Sequence, residues 1–434
     1  MDSVTRHTTS GQSGNGSLRA EEDLPVLHRA KWVVPVAHPP IEDGGVLTRG
    51  NIILAAGPYH QVNAASPPSA KRVDHGSSAV LPGLVNAHTH LELSGIGRQV
   101  SLPKESFAEW LKELLDLRAS MTTDSLPEGF AVGGKQLLAG GCCLCADITN
   151  GACLTGDSPL GRQVFLEVLG FDRAGLAEAL GPDLFRTLGI SRTTDLPLSL
   201  GAHACYSTSG AVIREAKEWC RARGLRFSIH VAEHSDEIEF LERGTGFCRE
   251  VLEDLGRWVP NWTPPGTTPM GYLEQLQVLD SCTLLVHAVH MTDADWEIAV
   301  RNHCSVCFCP RSNRNLNVGQ PDMAKALRSG LTAALGTDSL ASNTDLNLFS
   351  EAAYVLETFA DVHPLSVLTM MTSGGAEALG QEQHFGSIEP GRNANLLIVS
   401  LPHSFPSDQL VETIIQQGSK GAWHWAHRSA NVCG

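Results

Sequence analysis

Short apolar runs alternate with longer helix-like stretches over most of this chain. The helix candidates lie at 107–119, 211–223, 236–242 and 293–302. Such strand–helix alternation is typical of α/β folds with a parallel sheet. The apolar, β-prone runs number eight, at 81–85, 142–148, 164–169, 196–200, 227–229, 283–286, 305–309 and 332–336. Eight alternations predict a (β/α)₈ barrel of the TIM type, whose functional side chains follow the C-terminal ends of the strands.

Both ends of the chain follow a different pattern. Residues 25–80 contain short strand-like pieces separated by Pro and Gly, and residues 381–434 contain a strand-like run at 394–399 and a further apolar run at 411–416. Two β-rich ends around a barrel at 81–380 predict one small β-sandwich built from both termini. Residues 1–24 are polar, rich in Ser, Gly and Thr, and lack the apolar core of a signal peptide, so we expect a disordered tail.

The composition of the chain argues against some classes of binding partner. Hydrophobic residues make up 42% of the 434 residues, which is enough for a large core. The formal net charge is -15 and the sequence has no basic cluster, which argues against nucleic acid or an anionic membrane as a partner. No apolar run approaches the length of a membrane span. We therefore expect a cytoplasmic protein that acts on a small molecule, with a homodimer as one option for its assembly.

The twelve cysteines of the chain do not form a zinc or disulfide pattern. Six of them lie in or next to two apolar runs, where small buried residues are expected: Cys142, Cys143 and Cys145 in one, and Cys304, Cys307 and Cys309 at the other. A zinc knuckle at 304–309 lacks a second ligand pair nearby. The pattern favours unpaired thiols in a reducing compartment.

Two histidines one residue apart, His88 and His90, follow the first apolar run. Because alternate strand residues point to the same face, both imidazoles project together. Such a pair alone is a weak sign of a metal, but three further runs end in His230, His287 and Asp338. Imidazole and carboxylate groups are ligands of first-row divalent ions. Four strand ends therefore predict a metal site at the C-terminal face of the barrel.

Six motifs extend over nearly the whole chain after its first residues. They are PGLVNAHTH (82–90), HVAE (230–233), HAVH (287–290), CPRSN (309–313), GTDS (336–339) and GSIEPG (386–391). In this order and spacing the chain resembles the amidohydrolase superfamily, and within it the aminohydrolases that remove ammonia from purine-like rings. The resemblance implies a hydrolase of carbon–nitrogen bonds in cyclic amidines.

The resemblance and the chemistry of the residues imply one divalent metal ion. The expected ligands are His88, His90, His230 and Asp338, and the expected ion is Zn²⁺, with Fe²⁺ or Mn²⁺ as alternatives. Three nitrogens and one oxygen leave a position for water, whose pKa a bound metal can lower to around 7. Two-metal members of the superfamily use a carboxylated lysine after strand four, and residues 196–209 contain no lysine, which favours a single metal.

Three residues are expected to carry the catalysis. Asp338 is placed to orient the water and take its proton. Glu233, three residues after a ligand, is expected to carry a proton to the ring nitrogen and then to the leaving amine, as general acid/base. His287 is expected to contact the metal-bound water or the developing oxyanion. His290 is the lesser alternative, because three residues further on it has turned away from the pocket.

Four residues are candidates for substrate contacts, namely Glu92, His203, Arg311 and Ser342. Glu92 could instead support a ligand histidine, and His203 could cap its strand. Arg311, with Arg314 as an equivalent, suits a substrate carboxylate, since guanidinium pairs bidentately with it. The alternative is that these arginines hold their own loop through backbone carbonyls.

The substrate expected from the resemblance is an adenine nucleoside derivative. One branch of similar enzymes deaminates 6-amino-6-deoxyfutalosine, an adenine riboside with a benzoate tail and an intermediate of an alternative route of menaquinone biosynthesis. The Pro-rich segment 256–269 is either a cover that offers Trp258 or Trp262 to that tail or a surface loop anchored by the tryptophans. Alternatives are methylthioadenosine or S-adenosylhomocysteine as substrate, a chlorohydrolase or amidase, and a non-catalytic scaffold.

Overall fold

Fifteen strands form two sheets in the computed structural model, which describes residues 24–120, 125–151, 160–188 and 198–427. All but residue 24 of the expected tail lies outside these ranges. The strands are β1 (Val26–Val33), β2 (Ile41–Arg49), β3 (Ile52–Pro58), β4 (Lys71–Asp74), β5 (Ser78–Pro82), β6 (Leu84–Thr89), β7 (Cys142–Thr149), β8 (Gly161–Val168), β9 (Ser199–Ala204), β10 (Phe227–Val231), β11 (Thr283–His287), β12 (Ser305–Phe308), β13 (Thr332–Leu335), β14 (Leu396–Ser400) and β15 (Trp423–His427).

The helices lie mostly between these strands. They are α1 (Tyr59–Ala65), α2 (Phe107–Ser120), α3 (Ser125–Ala139), α4 (Leu176–Leu188), α5 (Gly210–Arg221), α6 (Ser235–Arg243), α7 (Phe247–Asp254), α8 (Pro269–Gln275), α9 (Asp293–Arg301), α10 (Pro310–Asn315), α11 (Met323–Arg328), α12 (Leu348–Thr358), α13 (Pro364–Met370), α14 (Ser373–Ala378) and α15 (Leu410–Ser419), with short 3₁₀ turns at Leu91–Gly95, Gly97–Gln99 and Ser407–Gln409. The four helix candidates of the sequence correspond to α2, α5, α6 and α9, because an apolar face repeats along each of them.

Strands β6 to β13 form an eight-stranded parallel sheet in chain order. The sheet closes nearly completely, because the backbone N–H groups of Thr337 and Asp338 both donate to the carbonyl of His88 at 3.1 Å. Strands β7 and β8 are buried along their whole length, as expected for strands covered on both faces. The predicted barrel is confirmed, and the fourth strand lies at Ser199–Ala204, later than the predicted run at 196–200.

The two chain ends share the second sheet, as predicted. Strand β14 from the C-terminal part pairs with β5 from the N-terminal part. Hydrogen bonds join all seven strands into one mixed sheet, in the order β15-β14-β5-β1-β2-β3 with β4 also beside β1. The expected sandwich is therefore a single connected sheet. The apolar run at 411–416 lies in helix α15, whose Leu410, Ile414 and Ile415 are buried.

The apolar run at 81–85 divides between the two sheets. Strand β5 ends at Pro82, and Gly83 turns the chain into β6, donating its N–H to the carbonyl of Asn395 at 2.8 Å. A Cβ at Gly83 would lie 2.8 Å from the Cys143 sulfur, so the close approach of β7 requires glycine here. The link between the sheets is thus short and tightly packed.

The cysteines of the described ranges are free thiols, in agreement with the expectation from the sequence. Cys142, Cys143 and Cys145 are buried in β7, and burial raises the pKa of Cys143 to about 12. These thiols therefore act as small apolar side chains. In the part of the chain that the structure describes, no helix is long and apolar enough to cross a membrane.

Candidate active site

Four buried side chains converge at the C-terminal ends of β6, β10 and β13. The Nε2 atoms of His88 and His230 lie 3.2 Å apart. The Oδ1 atom of Asp338 lies 3.8 Å from Nε2 of His88 and 3.7 Å from Nε2 of His90. The structure thus brings the four residues that the sequence suggests as ligands into one buried cluster.

These separations suit residues that share one metal ion. Zinc–ligand bonds of about 2.0–2.2 Å place neighbouring ligand atoms roughly 3–4 Å apart, and the separations of 3.2, 3.7 and 3.8 Å lie in that range. Burial and the neighbouring imidazoles lower the pKa of His88 well below its usual range, and burial also lowers that of His90. Both rings are therefore neutral and offer lone pairs, as metal ligands must.

Hydrogen bonds behind the cluster fix which atoms face inward. Nδ1 of His230 donates to the carbonyl of His203 at 2.7 Å, which leaves Nε2 unprotonated toward the cluster. Oδ2 of Asp338 accepts from the hydroxyls of Ser312 at 2.7 Å and Ser342 at 2.8 Å, so that Oδ1 faces the histidines. The expected substrate contact Ser342 is fully buried and orients Asp338 instead.

Backbone strain is concentrated around the cluster. His287, Ala288, Asp338 and Ala232 have positive φ angles of 72°, 51°, 56° and 50°. Non-glycine residues adopt this region at a cost, and such residues are common at functional sites. Here the strained turns redirect the chain directly after β10, β11 and β13, so that the side chains face the barrel axis.

Glu233 and His287 lie beside the cluster and contact each other. Oε1 of Glu233 is 3.5 Å from Nε2 of His287. Burial raises the pKa of Glu233 to about 7 against the attraction of His230 and His234, so the carboxyl can hold or release a proton near neutral pH. Nδ1 of His287 donates to Oδ1 of Asn313 at 3.0 Å, which leaves Nε2 as an acceptor.

His290 does not reach this group. Its Nε2 donates to the carbonyl of Val318 at 2.8 Å, which agrees with the lower rank that the sequence gives it.

A cavity opens over these groups and has one apolar side. Helix α2 contributes Trp110, Leu111, Leu114 and Leu115 to its wall, and Leu93, Leu169, Val251 and Leu255 continue that wall. Leu169 and Leu255 remain exposed at 38% and 49%. His90, His230, Glu233, His287 and Asp338 form the polar side of the cavity. The site can therefore hold a molecule with one polar, reactive end and a longer apolar part.

Only one of the four candidate substrate contacts, His203, lines this cavity. Glu92 lies behind it and accepts from the Thr149 hydroxyl at 2.6 Å and the Asn150 N–H at 3.2 Å. Arg311 pairs bidentately with Asp345 at 2.8 and 3.0 Å. Its guanidinium stabilises its own loop, so the suggested carboxylate contact at Arg311 is not what the structure shows.

The tryptophans of segment 256–269 do not line the cavity either. Trp262 stacks on Phe240 with ring centroids 4.7 Å apart, and Trp258 stacks on Phe171 at 6.1 Å. The four rings form one cluster beside helices α6 and α7. Of the two roles suggested by the sequence, the structure favours the anchored surface loop.

The cavity contains two charged residues that the sequence analysis did not single out, Arg118 and Glu167. Arg118 lies in the last turn of α2, one turn after the apolar wall residues Leu114 and Leu115. Glu167 lies near the C-terminal end of β8. An acidic residue inside the otherwise apolar run at 164–169 was the available signal for Glu167.

Fold and site together define a TIM-barrel hydrolase with a three-histidine, one-aspartate cluster at its strand ends. Residues 79–423 match the amidohydrolase family, and the chain belongs to that family. It is 29% identical to the aminodeoxyfutalosine deaminase of Deinococcus radiodurans over 359 residues, which cover 79% of this chain and 82% of that protein. It is 26% identical to the 5-methylthioadenosine/S-adenosylhomocysteine deaminase of Pelotomaculum thermopropionicum, with coverage of 86% and 84%.

A solved structure shows the same fold. The crystal structure of Helicobacter pylori aminofutalosine deaminase in complex with methylthio-coformycin matches with a TM-score of 0.77 at 23% identity, covering 90% of this chain and 96% of that one. The predicted class, a hydrolase acting on carbon–nitrogen bonds in cyclic amidines, is confirmed by the family and by the two deaminase relatives.

Proposed function

We propose that the protein hydrolytically deaminates an adenine nucleoside derivative. The observation that carries this proposal is the buried Glu233 carboxyl beside His287, next to the cluster around Asp338. An amine leaving group and a ring nitrogen both need a proton during deamination, and Glu233 is placed to supply it. The deaminase relatives support the same reaction.

The cluster of His88, His90, His230 and Asp338 would hold one divalent ion. A donor set of three imidazoles and one carboxylate suits Zn²⁺, with Fe²⁺ or Mn²⁺ as alternatives. When bound, such an ion supplies a Lewis acid that makes water a nucleophile near neutral pH.

The side chains around the cluster have separate tasks in this proposal. Oδ1 of Asp338 accepts the proton of the attacking water, while Ser312 and Ser342 hold the carboxylate in place. Nε2 of His287 is an acceptor and orients a hydroxyl hydrogen of that water. Glu233 donates its proton to the ring nitrogen as the C6–O bond forms. It then takes up the proton that the C6 hydroxyl releases as the carbonyl forms and passes it to the amine as the C–N bond breaks; such proton transfers typically contribute about 10²–10⁴-fold each. The proton held by Asp338 restores Glu233 after ammonia leaves.

The cavity favours 6-amino-6-deoxyfutalosine among the candidate substrates. The benzoate tail of this substrate is apolar along the ring and anionic at the end. Leu111, Leu114 and Leu115 offer an apolar wall, and Arg118 lies at the end of that wall with a side chain that is 36% exposed. Arg118 contacts Glu92 at 3.4 Å, so the cation is already positioned before substrate binds. Guanidinium groups pair well with carboxylates.

The rivals differ mainly at the tail. Methylthioadenosine has no carboxylate for Arg118, and S-adenosylhomocysteine carries an ammonium group beside its carboxylate. A chlorohydrolase or amidase remains the alternative from another reaction class within the family. An amide also needs a proton for its leaving amine, whereas chloride leaves without one; the cyclic amidine alone adds a ring nitrogen that takes a proton.

The test compares kcat/KM for the three adenine ribosides, following the ultraviolet change as adenine becomes hypoxanthine. We expect the benzoate compound to be preferred. Arg118→Met should reduce kcat/KM for the benzoate compound by about 10- to 100-fold, the effect expected for loss of a charge-assisted hydrogen bond. The same variant should change kcat/KM for methylthioadenosine little. Lys112→Met, which removes an exposed charge from the same helix, is the matched control. Preference for a sulfur compound would reassign the substrate, and no activity on any adenine riboside would refute the deaminase proposal.

A further inference from the structure

Glu167 has a buried carboxylate oxygen that the proposed chemistry does not use. The residue is 6% exposed, lies near the end of β8 and lines the cavity. Its Oε2 accepts from Nδ2 of Asn150 at 2.9 Å. Its Oε1 has no hydrogen-bond partner among the described residues. Because a buried acceptor without a partner is costly, such an atom in a cavity indicates a missing donor.

The neighbouring histidine does not supply that donor. Oε1 of Glu167 is 3.9 Å from Nδ1 of His230, and this nitrogen already donates to the carbonyl of His203 at 2.7 Å. An oxygen of Glu167 lies within 4.8 Å of nitrogens of His90 and His230. Nε2 of His230, on the other edge of the ring, is however the atom that approaches His88, so Glu167 lies beside the four-residue cluster. Glu167 is therefore neither the orienting partner of His230 nor a member of the four-residue donor set.

The network around Glu167 holds it in place. Asn150 donates to Oε2 of Glu167 through its amide nitrogen and accepts from Arg118 through its amide oxygen. Glu92 in turn accepts from the backbone N–H of Asn150 at 3.2 Å. A carboxylate fixed at one oxygen presents the other in a defined position, which is the arrangement expected of a group that selects a ligand.

We propose that Oε1 of Glu167 accepts a hydrogen bond from the 2′- or 3′-hydroxyl of the nucleoside. An ionised carboxylate only accepts hydrogen bonds, so the ligand group must be a donor. The proposal rests on the proposed function. In an adenine riboside the exocyclic amine is the leaving group, and the proposed function places it beside Glu233, directly after β10. The sugar hydroxyls are then the hydrogen-bond donors of the substrate that remain for Glu167 on β8. Glu167 thereby selects ribosides over deoxyribosides.

The experiment compares kcat/KM for adenosine, 2′-deoxyadenosine and 3′-deoxyadenosine in the metal-loaded wild type and in Glu167→Ala. The wild type should prefer adenosine to one of the deoxy compounds by about 10- to 100-fold, the range of a hydrogen bond to a charged group. In Glu167→Ala, kcat/KM should fall by the same factor on adenosine, and by less than about 3-fold on the deoxy compound that the wild type disfavours. Glu92→Gln is the matched control, because this buried carboxylate belongs to the same network but does not line the cavity; it should affect all three compounds alike.

The outcomes separate the two proposals. An equal loss on all three compounds in Glu167→Ala, with an unchanged preference ratio, would overturn the role of Glu167 while leaving deamination intact. If the wild type turned over no adenine nucleoside, the proposed function would fail. Binding of inosine and 2′- and 3′-deoxyinosine would then still report on the sugar contact, and no difference between wild type and variant would overturn it independently.

Discussion

Removing one of the two hydroxyls that hydrogen-bond to Asp338 should lower the metal affinity or the turnover of the site. The change replaces neither a proposed ligand nor a residue that lines the cavity. Ser342 donates to Oδ2 of Asp338 at 2.8 Å and Ser312 donates to the same oxygen at 2.7 Å. In Ser342→Ala, the carboxylate keeps one of these two donors and gains freedom to rotate Oδ1 away from the histidines. The free-energy change expected for one hydrogen bond to a charged group is about 1.5–3 kcal/mol.

That free energy corresponds to about a 10- to 150-fold effect. It agrees with the roughly 10- to 100-fold losses that follow removal of groups supporting metal ligands. We expect Ser342→Ala to lower metal affinity or kcat within this range, and Ser312→Ala/Ser342→Ala to lower it further. The assay titrates the protein with zinc against a competing chelator and measures turnover at saturating metal.

The matched control is Ser66→Ala at the C-terminal end of α1, outside the barrel. Its hydroxyl is also buried and donates to the carbonyl of Val62 at 2.7 Å. Ser66→Ala should lower the free energy of unfolding by an amount similar to that in Ser342→Ala, but it should leave metal affinity and kcat unchanged. If the Ser312→Ala/Ser342→Ala protein kept both within about 2-fold of wild type, the claim that these hydroxyls orient Asp338 would be refuted.

Three further predictions concern the site and its surroundings. His230→Ala should lose bound metal while remaining folded; elemental analysis showing one retained equivalent would exclude it as a ligand. A Cβ at Gly336 would lie 2.9 Å from the His88 carbonyl, so Gly336→Ala should also reduce metal content, whereas Gly134→Ala, where the added Cβ meets nothing, should not. Burial, then repulsion from the nearby Glu233, raises the pKa of Glu237 from 4.5 to about 8. The folded state therefore keeps a proton that the unfolded state has released, and stability falls as pH rises between these values. Glu237→Gln should gain melting temperature over wild type at pH 8 but not near pH 4.5; a constant difference would contradict this.

The barrel and the residues at its C-terminal face could be predicted because both follow from local patterns. Eight apolar runs determine eight parallel strands, and a residue that ends such a run must lie at the C-terminal face. His88, His90, His230 and Asp338 could therefore be placed together without knowing any contact between strands. The second sheet, which both chain ends form, could be predicted only in outline, because the apolar run at 411–416 fits an amphipathic helix as well as a strand.

The cavity walls could not be predicted in the same way. Arg311 lies within a motif and Ser342 follows one, yet their side chains bond to Asp345 and Asp338 and do not line the cavity. Arg118 lies in the cavity because α2 forms part of the cavity wall, and helix placement depends on long-range packing. Proximity in sequence to a ligand is thus a poor guide to contact with substrate, while strand ends are a good one.

The measurement that tests the central claim most directly is ammonia release from an adenine riboside by wild type and Glu233→Gln, with bound metal determined on the same samples. The claim is that Glu233 carries the proton for deamination beside a site that holds one metal ion. We predict that the variant keeps about one divalent ion per chain, as a four-ligand site does, and loses most turnover, at least about 100-fold. Near-full ammonia release by the metal-loaded variant would contradict the account.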